Sequence, residues 1–310
     1  MHRIPKIKVI GIGGAGVNAL SRMAKCGFNY IELIAVNTDA QSLQFSKVPH
    51  KLLIGENVTL GLGTGMDVRL GEKAVKESEE KIKEILKGTE MIFLASGFGG
   101  GTGSGGLPII GEMAKNLGIL TIAVITKPFS FEGIQRQRIA NHGVRNLKGK
   151  VDSLICISND KLLKIIGKNT SVEDAFWECD RILREAIYGI SDLIFSPGII
   201  NVDLADIRGI LKNSGEALFG QAKAKGENRA ITAANEAIHS PLVDFPISKA
   251  KGILLNIAGG EDLSLFEIQE AANFIKKTVS PWAKISFGAS EDKTLKKGEI
   301  KITLIATGIN

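Results

Sequence analysis

Two glycine-rich stretches and one pair of acids are the places where this sequence of 310 residues could do chemistry. The first stretch, KVIGIGGAGVN, runs from Lys8 to Asn18 and sets glycines at Gly11, Gly13 and Gly16. That is G-x-G-x-x-G, the spacing of a dinucleotide-binding turn. The second, SGFGGGTGSGG, runs from Ser96 to Gly106. Residues without side chains let backbone N–H groups approach an anion closely, and a helix starting behind them adds about half a positive charge. Glycine costs roughly 0.5–1 kcal/mol against alanine in backbone entropy, so packing alone is a poor explanation for the second run. Neither stretch contains G-x-x-x-x-G-K-[ST], so no P-loop lysine is offered to phosphate. Backbone amides, helix dipoles and a hydrated Mg²⁺ are left to meet its charge. Two cradles suit a nucleoside di- or triphosphate better than a single-loop NAD site. An NAD(P)-dependent oxidoreductase built on Gly11–Gly16 stands as the alternative.

The acids lie in NVDLADIR, Asn201 to Arg208. Asp203 and Asp206 are three apart at a helix start and therefore share a face. The pair reads as a cap that complements the helix dipole, or as carboxylates presented for chemistry.

The elements that must position these residues follow from apolar patterning. IKVIGIG, IELIAVN, MIFLASG, LTIAVIT and DSLICIS are continuous apolar runs, as strands buried on both faces are. Amphipathic segments such as RLGEKAVKESEEKIKEILKG and PIIGEMAKNLG separate them. Repeated strand–helix units predict a parallel sheet covered on both sides, and ligands of such sheets sit at the strands' carboxyl ends. From about Ser171 to Ile194 apolar residues recur at steps of three and four, predicting one long helix that ends at Pro197-Gly198. A second α/β unit follows. NVDLADIRGILKN, NRAITAANEAIH and SLFEIQEAANFIKK read as helices; KAKGILLNIAGG, WAKISFGAS and EIKITLIATG read as strands.

Composition narrows the classes. Hydrophobic residues make up 44% and charged residues 23%, ordinary for a globular protein. No apolar run reaches the roughly 18–20 residues of a membrane span, and MHRIPKIKVIG has no signal-peptide pattern, which predicts a cytoplasmic protein. The cysteines Cys26, Cys156 and Cys179 are scattered and read as reduced thiols, and the isolated histidines offer no metal site. The net charge of +6 is spread along the chain, and aromatics at 5% give no stacking platform for single strands, so nucleic acid is not an expected partner.

GGGTGSG at Gly99–Gly105 is similar to the tubulin signature, and with AVNTDAQSL, TKPFSFEG, ISNDKLL and NVDLADIR in the same order the sequence resembles the tubulin/FtsZ family of cell-division GTPases from about Lys6 to Ile309. The resemblance implies a tubulin-like α/β fold. A Rossmann-like parallel-sheet GTP-binding domain (1–170) would be joined by a central helix (171–194) to a smaller α/β GTPase-activating domain (195–310). It implies GTP or GDP, with Mg²⁺, held by Gly13, Gly14, Ala15 and Asn18 of the first loop and by Gly97, Gly99, Gly100, Gly101, Thr102 and Gly103 of the second, with Thr102 and Ser104 hydroxyls adding hydrogen bonds. Glu132 and Arg136 are implied at the ribose and a phosphate, where a carboxylate accepts and a guanidinium forks. Asn159 and Asp180 are implied to read guanine, with Phe176 stacked on it. By pattern alone these are a turn residue, a solvated helix residue and a core aromatic. Asn201, Asp203 and Asp206 are implied to enter the pocket of the next subunit and polarise the attacking water, directly or through a metal. A head-to-tail contact that does not close then makes a homopolymer.

The sequence also departs from the family pattern. Met66-Asp67-Val68-Arg69 stands where the family has A-N-P-E, near the γ-phosphate. Arg181 replaces a small polar or acidic residue after Asp180, and the charge balance is basic rather than acidic. Nothing follows Asn310, so division-machinery and membrane-tether proteins are implied as partners without the tail peptide that usually holds them.

Overall fold

The computed structural model describes residues 5–26, 30–163, 166–167, 169–195, 198–240 and 246–308. The chain divides into two compact units, residues 1–185 and 186–310, and the division falls inside one helix.

The first unit is built on β1 (Ile7–Ile12), β2 (Ile31–Asn37), β3 (His50–Leu53), β4 (Met91–Gly97), β5 (Leu120–Lys127) and β6 (Ser153–Ser158). All neighbours are parallel, in the order β3-β2-β1-β4-β5-β6. The apolar runs read from the sequence are β1, β2, β4, β5 and β6. In β4 the side chains from Met91 to Ala95 are all fully buried, as a strand sandwiched between helix layers must be. Each such large side chain contributes about 1.5–3 kcal/mol of burial. The chain winds outward from β1 to β3, returns to β4 beside β1, and winds outward again to β6. The reversal therefore lies between β1 and β4, where the crevice beyond the strand ends opens. Both glycine stretches leave those two strands.

The helices of this unit are α1 (Gly13–Met23), α2 (Ala40–Phe45), α3 (Glu56–Thr59), α4 (Val68–Glu77), α5 (Glu79–Leu86), α6 (Gly101–Asn116), α7 (Ile134–Leu147) and α8 (Asn159–Leu162). Two expectations are corrected here. The single amphipathic segment over 69–88 is two helices that meet at Ser78, whose φ of −101° and ψ of 19° leave the helical region. The Ser78 hydroxyl accepts the Gly55 N–H at 3.0 Å and so ties the junction of the two helices to the loop before α3. The second glycine run is also not a loop beyond Gly100: Gly101 to Gly106 form the opening turns of α6. Packing does explain several of these glycines. A Cβ on Gly101 would lie 2.3 Å from the Asp67 carbonyl oxygen, and one on Gly105 would lie 2.2 Å from that of Val68. Gly71 answers from the other side, 2.3 Å from the Gly101 oxygen. Helices α4 and α6 touch backbone to backbone.

Helix α9 (Val172–Phe195) is the long helix expected from the apolar stripe; its predicted stop at Pro197 lies outside the described residues. The second unit continues with β7 (Gly198–Ile200), α10 (Leu204–Leu211), β8 (Gly215–Lys225), α11 (Arg229–Ile238), β9 (Gly252–Gly259), α12 (Leu265–Thr278), β10 (Lys284–Glu291) and β11 (Glu299–Thr307). Its sheet runs β8-β11-β9-β10-β7, with only β9 and β10 parallel. Strand β8 was not legible. GEALFGQAKAK is rich in glycine, alanine and lysine, poor strand formers, and it is held by a long antiparallel register with β11 from Ala217↔Thr307 to Lys225↔Glu299. Ala230, Ala233, Ala234 and Ala237 of α11 let it lie close on Ile268, Ala271 and Ile275 of α12 and on Leu255, Ile257, Ile302 and Leu304 of the sheet. Arg229, 5% exposed, fixes the two helices by pairing with Glu267 at 2.5 Å and with Asp262 at 3.0 Å.

Candidate functional site

A cavity of about 450 Å³ opens at the switch point of the first unit, and its lining residues all fall between Gly13 and Asp180. That size is within the roughly 300–1,000 Å³ of ligand sites. The two glycine turns form its floor. Gly13, Gly14 and Ala15 open α1, and Gly97, Gly100, Gly101, Thr102 and Gly103 join β4 to α6. The glycines have different duties. Gly11 and Gly16 are packing residues: a Cβ on either would lie 2.5 Å from a backbone oxygen, of Gly16 and Ala95 respectively. Gly14 and Gly100 have no atom near the Cβ position and border open space. The G-x-G-x-x-G spacing is thus largely a strand–helix turn, which removes the main support for a dinucleotide enzyme. At Gly14 and Gly100 the backbone is left open to the cavity.

The hydroxyls also separate. Ser104, expected at the ligand, is 1% exposed and accepts the Gly99 N–H at 2.9 Å. It shapes the turn instead of lining the cavity. Thr102 does line it, with its hydroxyl 2.7 Å from that of Thr38 and 3.2 Å from that of Thr64. Asn18 lies exposed on α1, and neither it nor Gly99 is in the lining.

The opposite wall carries Glu132, Arg136, Asn159, Phe176 and Asp180, all five of the ribose and base candidates. Glu132 accepts the Phe129 N–H at 2.9 Å, and its other oxygen is 3.9 Å from Arg136. Phe176 is not core: it is 38% exposed and meets Phe129 edge-on at 5.6 Å, with its ring at the cavity. One oxygen of Asp180 is paired with Arg22. Asn159 is 5% exposed and its Oδ1 is a buried acceptor without a partner among the described residues. An unsatisfied buried acceptor costs about 1–3 kcal/mol, which a ligand donor would recover.

Several lining residues were not singled out. Asn37, Thr38 and Asp39 lie at the end of β2, Leu62 to Met66 form a loop, and Cys179 of α9 lines the cavity beside Asp180. The rule that ligands sit at strand carboxyl ends pointed to Asn37–Asp39 as much as to the glycines. Burial pushes the Cys179 thiol up to about 12, so it stays neutral. The unusual Met66–Arg69 segment has a local purpose. Met66 sits at a φ of 72° in the lining, and Asp67 caps α4 by accepting the Arg69 and Leu70 N–H groups at 2.8 and 3.2 Å. Arg181 is held by Glu178 and Glu185 at 2.7 Å each.

In the second unit Asn201, Asp203 and Asp206 stand together at the start of α10, all exposed. Asn201 accepts the Gly198 N–H at 2.9 Å, and Asp203 is the helix cap, accepting the Asp206 N–H at 2.7 Å. The Asp206 carboxylate has no partner among the described residues.

Residues 6–167 match the family described as Tubulin/FtsZ family, GTPase domain, and residues 215–310 match FtsZ family, C-terminal domain. The chain belongs to the tubulin/FtsZ family, and its first unit carries that family's GTPase domain. It is similar to the empty FtsZ dimer of M. jannaschii, with 39% identity and a TM-score of 0.95 over 100% of this chain and 90% of that one. CetZ2 from Haloferax volcanii, solved as a GTPγS-bound protofilament, shares the fold at 23% identity and a TM-score of 0.80, over 97% of this chain and 92% of its own. Among the described residues no helix is long and apolar enough to cross a membrane.

Proposed function

We propose that this protein binds GTP in the first unit and assembles head to tail, each copy completing its neighbour's site with Asp206. The observation that carries this reading is the state of the carboxylates in the cavity. Asp39 accepts the Ser42 N–H at 2.9 Å, Glu132 accepts that of Phe129, and Asp180 is paired with Arg22. Each of the three is engaged through one oxygen within its own unit. Asp206 is exposed and unpartnered, on a helix start whose geometry Asp203 fixes.

Within the cavity, the α1 and α6 N-termini would take the phosphates with Gly14 and Gly100 at closest approach. Arg136 would add a charge-assisted contact and Glu132 would accept from ribose hydroxyls. Asn159 and the second oxygen of Asp180 would face the guanine edge, and Phe176 would lie against the ring. No cluster of three metal-ligating side chains occurs among the described residues. Asp39 and the hydroxyls of Thr38, Thr64 and Thr102 are hard oxygen donors, which suit a Mg²⁺ held mainly by phosphate oxygens and water. Such an ion neutralises charge on the phosphates. The M. jannaschii dimer and the CetZ2 protofilament support assembly of like copies, and family membership supports a role in cell division inside the cytoplasm.

Sedimentation with GTP or GDP, with phosphate release measured in the same tubes, tests the reading. Pelleting with GTP and specific activity that rises above a threshold concentration are expected. Activity that stays flat from dilute to concentrated protein would place the whole site in one chain. Pelleting without phosphate release would make it a GTP-binding scaffold, the reading that the altered Met66–Arg69 loop favours.

A further inference from the structure

Arg22 acts on the cavity of the first unit without lining it. It stands in the last turn of α1, the helix whose first turn gives Gly13, Gly14 and Ala15 to the cavity floor. From Gly13 to Arg22 a helix advances about 13 Å. At that far end Arg22 pairs with Asp180 of α9, whose side chain is 18% exposed. Asp180 lines the cavity and Arg22 does not. The guanidinium therefore meets the carboxylate from outside and leaves its other oxygen to the inside.

A carboxylate in this position needs such a partner. The outer torsion of an aspartate is broad and roughly two-fold, so an unheld Asp180 would present either oxygen in many planes. Removing the counter-charge of a partly buried carboxylate is also costly. A guanidinium supplies both the charge and a planar fork that fixes the carboxylate plane. The cations that neighbour Asp180 in sequence are engaged elsewhere. Arg181 is held by Glu178 and Glu185 at 2.7 Å each, and Arg184 lies over the Trp177 ring at 5.4 Å.

Two acceptors then face the base wall of the cavity: the second oxygen of Asp180 and the Asn159 Oδ1, which is buried and has no partner among the described residues. A base that satisfies both must present donors. Guanine carries an N1–H beside a 2-amino group. Hypoxanthine keeps the N1–H and lacks the amino group, and adenine has an acceptor at N1. We infer that Arg22 is a positioning residue for purine selectivity: by holding one oxygen of Asp180 it aims the other at the N1–H and 2-amino edge, and so separates guanine from hypoxanthine nucleotides. The inference rests on the GTP reading given above.

The test titrates GDP and IDP calorimetrically into the dilute intact chain. The wild type is expected to bind GDP roughly 10–100-fold tighter than IDP, the scale of one hydrogen bond to a charged group. Arg22→Met should lower that ratio about tenfold by weakening GDP and sparing IDP. Arg22→Lys keeps the charge without the fork and should give an intermediate ratio; it carries the comparison alone where Arg22→Met does not fold. In an Asp180→Asn background Arg22→Met should change the ratio no further, because the two act as one unit. Equal losses of GDP and IDP affinity in Arg22→Met would make the pairing merely structural and overturn the inference. So would a ratio that neither Arg22 variant moves. A wild type that binds GDP and IDP alike would remove Asp180 from the base edge and leave the cavity a nucleotide site, whereas one that binds neither would overturn the GTP reading itself.

Discussion

The hydroxyls of Thr38 and Thr102 lie 2.7 Å apart, at the end of β2 and in the first turn of α6, and Thr64 reaches the same Thr102 oxygen at 3.2 Å. Three segments distant in sequence are thereby tied at one corner of the cavity. Thr102→Val keeps the shape and removes both bonds. It is expected to lower stability by about 1–2 kcal/mol and to weaken GTP binding. Urea unfolding and nucleotide titration on the same preparation check this; unchanged GTP affinity would leave the cluster a purely structural role.

The glycines of the second stretch separate in the same way. Gly100 has a φ of −97° and open space at its Cβ position, whereas a Cβ on Gly105 would lie 2.2 Å from the Val68 oxygen. Gly100→Ala should leave stability nearly unchanged and reduce GTP affinity. Gly105→Ala should destabilise by about 1–3 kcal/mol through overpacking, with any loss of affinity following from that. Thermal melts with and without GTP distinguish them, and equal melting temperatures for the two variants would contradict the division.

Residue patterning carried the parallel sheet, because buried strands leave continuous apolar runs, and it carried α9, because a long stripe has few alternatives. It did not carry β8, whose alanines and lysines become a strand only against β11. At the site, the glycine spacing alone merged two functions. Backbone contact between α4 and α6 and ligand approach both demand glycine, and only the positions of Asp67 and Val68 tell which is which. Phe176 was equally ambiguous, since a helix stripe does not reveal that its ring meets Phe129 at a cavity. Asn37 and Thr38 lie in AVNTDAQSL, one of the stretches that carries the resemblance, but by residue type alone they signal no more than a strand end.

Asp203 and Asp206 should behave differently although they are three residues apart. Asp203 accepts the Asp206 N–H at 2.7 Å, so Asp203→Ala removes a cap and is expected to cost about 1 kcal/mol of stability besides any loss of turnover. Asp206→Ala removes only the unpartnered carboxylate. It should retain GTP binding and stability and lose roughly 10²–10⁴-fold of turnover, the scale of a positioned base. Mixing it with an Asn159→Ala variant, whose own pocket is impaired but whose Asp206 is intact, should recover part of the phosphate release, because each supplies what the other lacks. Loss of GTP affinity in isolated Asp206→Ala monomers would count against action in trans.

Arg229 ties Glu267 and Asp262 together beneath α11 and α12. The hydrogen bond from Arg229 holds the Glu267 carboxyl down at about 2, against an ordinary 4.5. A depressed carboxyl pKa contributes stability that is complete above the unfolded value and is lost as pH falls through the folded one. The Glu267 contribution should therefore be whole at pH 6 and decline from about pH 4.5 toward pH 2. Arg229→Met removes the partner, leaves two carboxylates packed against an apolar stem, and should cost about 3 kcal/mol at neutral pH. It should also flatten the decline below pH 4.5, because Glu267 would then titrate nearer its unfolded value. Urea midpoints for the wild type and Arg229→Met from pH 7 to pH 3 give both quantities, and parallel pH curves would show that Arg229 does not set the Glu267 titration.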